Sequence, residues 1–189
     1  IYEGAWGDRH VRRHTGAVPT KLAEYRDRYA LYKGDADLQA AHAAFPWLVT
    51  WDDHEVANDY TDDVSPHTRD PAQFLAMRAA AYQAWYEHMP VPASMRPRGP
   101  SARIHARYRF GQMLDVFMLD MRSYRGPNGE GRQETYGPSA HLLGPPQLAW
   151  LKRGLAASRA VFPAPAIPPS TLPPPGVTSP LAVRSSVGL

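Results

Sequence analysis

The densest collection of groups able to do chemistry is Trp51-Asp52-Asp53-His54-Glu55, with Asn58 and Asp59 close behind. Carboxylate and amide oxygens suit hard cations, and a neutral imidazole suits iron or zinc. Such a cation can lower the pKa of bound water, polarise phosphoryl oxygens and neutralise charge in an in-line displacement. A nearby histidine can protonate the leaving oxygen. The residue types therefore fit half of a metal site for phosphate-ester hydrolysis. Spacing alone leaves a plainer reading open, because acidic turns also cap helices. The chain has no cysteine, so disulfides, thiolate zinc sites and cysteine nucleophiles are excluded and any metal must take oxygen and nitrogen ligands.

These groups need an element to hold them. Trp47-Leu48-Val49-Thr50-Trp51 is short, bulky and apolar, and reads as a strand buried on both faces that delivers the acidic cluster at its carboxyl end, where α/β sheets build sites. Before it, Leu22, Tyr25, Tyr29 and Tyr32 recur at spacings of three and four, predicting a helix from Thr20, as N-cap, to Lys33, stopped by Gly34. The tyrosine stripe reads as core packing. A short helix from Asp37 to Ala44 should end before Pro46, and His42 on it reads as a satisfied histidine. Asp70, Pro71 and Gln73 mark the start of a third helix, with Phe74, Met77, Ala81 and Trp85 on its buried face and its end between Glu87 and Pro90.

Ile104, Ala106, Tyr108 and Phe110 alternate with His105, Arg107 and Arg109, predicting a half-buried strand. Gly111 and Gln112 should turn it into a second strand, Met113 to Asp120. A long loop from Ser123 to Gly144 follows, then a helix from Pro145 to Ala157 presenting Leu148, Leu151 and Leu155 to the core, with Trp150 a core residue too. Arg122 could clasp a phosphate with its planar donors or form a structural pair with Asp120. From Ala160 onward, eight prolines predict a polyproline-rich or disordered tail without regular elements.

At 189 residues, 43% of them hydrophobic, the chain has material for one core. No apolar run reaches the roughly 18 residues that a bilayer-spanning helix needs, so no transmembrane segment is expected. The net charge of +3 is mostly scattered arginine, with a cluster at Arg9, His10, Arg12, Arg13 and His14. That cluster reads as a solvated loop or as attraction for an anionic substrate. Nucleic acid is not an expected partner, because no continuous basic face or reading motif accompanies the charge.

Longer strings carry a resemblance. Tyr25-Arg26-x-Arg28-Tyr29-Ala30-Leu31-Tyr32-Lys33, Asp37-Leu38-Gln39-Ala40-Ala41-His42-Ala43, Phe45-Pro46-Trp47, Trp51-Asp52-Asp53-His54-Glu55 with Asn58, Tyr86-Glu87-His88-Met89-Pro90, Leu119-Asp120-x-Arg122-Ser123-Tyr124-Arg125 and Leu143-Gly144-x-x-Gln147-x-x-Trp150-Leu151 occur in this order. Together they resemble the PhoD-like alkaline phosphatases over about residues 1 to 160.

The resemblance implies an α/β layered sandwich of metallophosphoesterase type, incomplete in this chain, and hydrolysis of phosphate monoesters or diesters at a centre of ferric iron and calcium. Tyr2, in Ile1-Tyr2-Glu3, matches the end of the family's Gly-Asp-Tyr-Ile-Tyr-Glu motif and would be a phenolate ligand to iron. The motif's aspartate would lie upstream of Ile1. Asp53 would face a metal and His54 the substrate, with Asp52 and Asn58 as further ligand candidates. A small-molecule or lipid phosphate ester is the implied substrate, and an extracellular or periplasmic location is implied for the complete protein. After Ala160 the sequence departs from the family, as a frameshift would cause, which sets the expected domain at 1–160 and the tail at 161–189. The rival expectations are a catalytically inactive fragment and a phospholipase D-like phosphodiesterase.

Overall fold

A computed structural model describes residues 1, 4, 13–127, 137 and 140–168. Its regular elements, in chain order, are α1 (Leu22–Lys33), α2 (Ala36–Ala44), α3 (Pro71–His88), β1 (Ala106–Phe110), β2 (Leu114–Met118), α4 (Gly144–Ala156) and β3 (Phe162–Ala166). The result is a mixed α/β arrangement with a three-stranded sheet in the order β1-β2-β3.

Helix α1 begins slightly later than the sequence suggested. Lys21 is the N-cap, and the Glu24 carboxylate reaches back to the amides of Thr20 (2.7 Å) and Lys21 (3.0 Å), so the acid, not the Thr20 hydroxyl, satisfies the open donors. Asp35 caps α2 through the Leu38 amide at 2.9 Å. Asp70 caps α3 as expected, accepting from the Ala72 amide, with Pro71 opening the helix. The expected face of α3 is buried at Phe74, Met77, Ala81 and Trp85, packed with Tyr25 and Tyr29 of α1 and with Trp51, Val56 and Tyr60. Tyr32 is only half-buried and meets His14 at 3.0 Å. His42 stacks on Trp47, with ring centroids 4.5 Å apart.

The segment 47–51 joins no strand among the described residues, which corrects the expectation of a doubly buried strand. Trp47 is 39% and Leu48 38% exposed. Its ties are made by side chains instead. The Thr50 hydroxyl donates to Leu119 O at 3.0 Å, and the Trp51 indole donates to Asp120 Oδ1 at 3.1 Å. Trp51 lies parallel to Tyr82 at 4.0 Å and edge-on to Trp85 at 4.9 Å, which fixes the end of the segment against α3.

The hairpin is present: β1 and β2 pair antiparallel from Ala106↔Met118 to Phe110↔Leu114, and Gly111 at φ +59° makes the turn. Phe110, expected inside, is 51% exposed because it sits at the hairpin tip beyond the core. Asp115 of β2 is fully buried, its charge is offset by Arg107 and by Arg109 at 3.3 Å, and it accepts a hydrogen bond from the Ser158 hydroxyl. The expectation of no regular structure after Ala160 is overturned by β3, which runs parallel to β2. Phe162 N donates to Met113 O and Leu119 N donates to Ala166 O, so residues 162 and 166 turn their polar groups toward β2. By the two-residue period, Pro163 and Pro165 face the open edge, where a missing N–H costs the ladder nothing. Residues 169–189, the rest of the expected tail, lie outside the described residues.

Phe117, Leu119, Met121 and Leu151 form a second core with Trp150 and Leu155. Leu148, expected on this face, is 41% exposed, since the buried position on that turn of α4 belongs to Gln147.

Helix α1 also braces the acidic turn: the Tyr25 hydroxyl donates to Val56 O at 2.5 Å inside the core. Tyr25→Phe should leave that carbonyl unsatisfied and lower unfolding free energy by about 1–3 kcal/mol in urea denaturation, where an unchanged midpoint would contradict the bracing role.

Candidate functional site

The acidic cluster folds as a tight turn. Val56 N and Ala57 N both donate to Asp53 O at 2.8 Å, and Asp59 N donates to Asp53 Oδ2 at 2.8 Å. Asp59 holds φ +58°, a left-handed conformation that aspartate tolerates better than most residues. Asn58, a candidate ligand, places its amide 2.6 Å from Asp59 Oδ2. Asp52 and Asp53 are both buried, at 7% and 4% exposure, whereas His54 and Asn58 are half-buried.

Two buried carboxylates side by side need a counter-charge, and Arg122 supplies it. Its Nε lies 2.6 Å from Asp52 Oδ1, its Nη2 3.4 Å from Asp53 Oδ1, and its Nη1 donates to Tyr60 O at 3.3 Å. The structural pairing of Asp120 with Arg122, one of the two readings open above, is made through the Arg122 amide and not through its guanidinium. Asp120 instead holds the turn that aims Arg122: its Oδ1 accepts from the amides of Arg122 (3.0 Å) and Ser123 (2.9 Å) as well as from Trp51. Gln147 grips the backbone of the same residue, accepting from Asp120 N and donating to Asp120 O, each at 2.8 Å. Trp51 and Gln147 thus reach Asp120 from the two cores.

Burial raises the pKa of Asp52, and the hydrogen bond from Arg122 pulls it back down. Asp52 Oδ2 and Asp53 Oδ1 are buried without a hydrogen-bond partner, although Asp53 Oδ1 feels the Arg122 charge. Anionic oxygens left in that state are what a hard cation satisfies, so these two residues fit a metal. Among the described residues, no group of three histidine, aspartate or glutamate side chains converges on one point. Tyr2 lies outside the described residues, but its neighbour Ile1 is placed beside the turn, with the Ile1 nitrogen 2.9 Å from Glu55 Oε1. Glu55 Oε2 also accepts from Asp52 N at 2.8 Å. Of the basic N-terminal cluster, Arg9, His10 and Arg12 lie outside the described residues, Arg13 is exposed, and His14 contacts Gly4 O at 2.6 Å.

A family model described as "PhoD-like phosphatase" matches residues 1–164. The chain belongs to the PhoD-like phosphatase family. It is 43% identical over 157 residues to alkaline phosphatase D of Bacillus subtilis (strain 168), a match spanning 80% of this chain and 27% of that protein. The same fold is found in a solved structure entitled "Structure of PhoD", with a TM-score of 0.80 and 38% identity over 87% of this chain and 34% of the other. This PhoD-like chain therefore spans about a third of the length or less of the relatives it matches.

Sequence reasoning brings Asp52, Asp53, His54, Asn58 and Arg122 forward but misses Gln147 as a working part. It stands in one of the motifs that carry the resemblance, and that is the available signal. Arg122→Met should cost about 3–5 kcal/mol by leaving buried carboxylates uncompensated. It should also make stability more pH-sensitive. A carboxyl raised above its unfolded value binds more protons in the native state, so stability falls as pH rises through that window, and losing Arg122 extends the window upward. Urea denaturation of both proteins across acidic and neutral pH checks this, and identical pH profiles would count against the ion pair.

Proposed function

We propose that this chain carries the Asp52–Asp53 part of a metal-dependent phosphate-ester hydrolase site. The observation that carries the reading is the buried carboxylate pair with two oxygens that accept no hydrogen bond, Asp52 Oδ2 and Asp53 Oδ1, in a chain of the PhoD-like phosphatase family. Asp52 and Asp53 would hold the cation, with Tyr2 and Asn58 as further ligands. Ferric iron with calcium is the metal set that suits these phenolate and carboxylate donors. When bound, such ions supply Lewis-acid polarisation of the phosphoryl oxygens and an activated water. Arg122 sets the spacing of the two carboxylates and limits their repulsion. His54, half-buried beside them, gives a proton to the departing ester oxygen. The substrate is a small-molecule or lipid phosphate ester, and both mono- and diesters are within this chemistry. The complete protein would build the layered metallophosphoesterase sandwich and work outside the cytoplasm.

A second reading has its own support: with no three-residue ligand group among the described residues, this chain by itself holds part of a site and is inactive alone. Assaying p-nitrophenyl phosphate hydrolysis with ferric and calcium ions, for this chain and for a protein of the relatives' full length, separates the two. In the active form, His54→Ala should reduce turnover by about a hundredfold or more with metal content unchanged. Asp53→Asn should lower bound iron or calcium measured by equilibrium dialysis. Full metal loading in Asp53→Asn would remove that residue from the ligand set, and full turnover in His54→Ala would remove the proton donor.

A further inference from the structure

The turn that sends Arg122 to the carboxylates sends a second arginine elsewhere. Arg125 N donates to Arg122 O at 3.3 Å, and the Arg125 side chain lines a cavity of about 410 Å³ with Asp62, Val64, Tyr124, His141 and Pro145. Its guanidinium is half-buried and makes no hydrogen bond or ion pair among the described residues. Arg122 is paired with Asp52, and Arg78 with Asp62 at 3.3 Å. Of these three described arginines, Arg125 is the one with donors to spare.

The cavity is shaped rather than incidental. Gly144 at φ +65° begins α4 so close to Tyr124 that an added Cβ would lie 2.8 Å from the Tyr124 Cβ. Gly126 N donates to His141 O at 2.7 Å and ties the far wall. Asp62 N donates to Arg122 O at 2.9 Å, which ties the Asp62 side of the cavity to the backbone of the arginine that pairs with Asp52. Their electrostatics are continuous as well: burial and Arg122 lower the pKa of Arg125, while Asp52, Asp53 and Asp59 raise it. The volume exceeds what a bare phosphate fills and is of the size that accepts a small organic group.

We propose that Arg125 binds a phosphoryl oxygen of the substrate, and that the cavity beside it receives the ester's organic group. The inference rests on the phosphate-ester reading above. A guanidinium with open donors recognises a tetrahedral oxyanion through two parallel N–H···O bonds, which a lysine at the same place cannot reproduce. Arg125 would then be the specificity-determining contact, placed by the same Asp120 turn that occupies Arg122.

The test is a chemical-shift titration of the chain with phenylphosphonate, whose C–P bond is not hydrolysed, and with inorganic phosphate, both in the presence of chelator. Arg125→Gln should weaken both ligands by about tenfold or more, and Arg125→Lys should fall between. Val64→Trp, at a position 49% exposed and so tolerant of change, should close the cavity and remove the advantage of phenylphosphonate while phosphate binding persists. Wild-type chain that binds neither ligand, Arg125→Gln that binds as wild type, or Val64→Trp that keeps the phenyl advantage would each overturn the proposal. Metal uptake, measured separately, reports on the carboxylate site, so its failure is distinguishable from failure here.

Discussion

Asp120 is the residue on which the arrangement turns. Its buried Oδ1 accepts from the Trp51 indole and from two amides of the following turn, while Gln147 occupies both of its backbone groups. A charged acceptor taking several donors in a low-dielectric interior is strongly directional, because each donor would otherwise be buried unsatisfied. Through these bonds the α1–α3 core, the end of β2 and helix α4 meet at one residue. That convergence fixes the backbone from which Arg122 and Arg125 leave in different directions.

Arg122 then decides the state of the acidic turn. Asp52 is removed from water and lies beside the Asp53 charge, and both effects raise its pKa. One guanidinium offsets part of this and leaves two carboxylate oxygens without donors. A turn so held is compact, anionic and short of positive charge, which is the condition for capturing a cation. Under the proposed reading, association with metal would add ligand bonds without first having to assemble the carboxylates.

Local signals were legible where the physics is local. Asp70 with Pro71 announced α3, the alternation through Ala106 and Tyr108 announced the hairpin, and the ligand types at Asp52 to Asn58 announced the candidate site. What the sequence hid lies at long range. Asp52 and Arg122 are 70 residues apart, and no spacing rule connects them. The apolar run 47–51 has the composition of a buried strand, but hydrophobicity alone does not reveal whether a strand has ladder partners. Strand β3 is hidden by the proline density of its segment, yet with Pro163 and Pro165 both facing the free edge the ladder survives. Arg122 drew attention as a phosphate clasp for its residue type, whereas burial beside two carboxylates gives it a different first task and leaves Arg125 with open donors.

Terbium luminescence tests the cation claim most directly, because a trivalent ion with a preference for oxygen ligands emits on tryptophan excitation only when it is held close to an indole. Trp51 immediately precedes the carboxylate pair. Binding should give sensitised emission that calcium displaces and that disappears when Asp52 and Asp53 are both changed to asparagine in a protein that remains folded. Emission that is absent from the wild-type protein, or that survives loss of both carboxylates, would contradict the account.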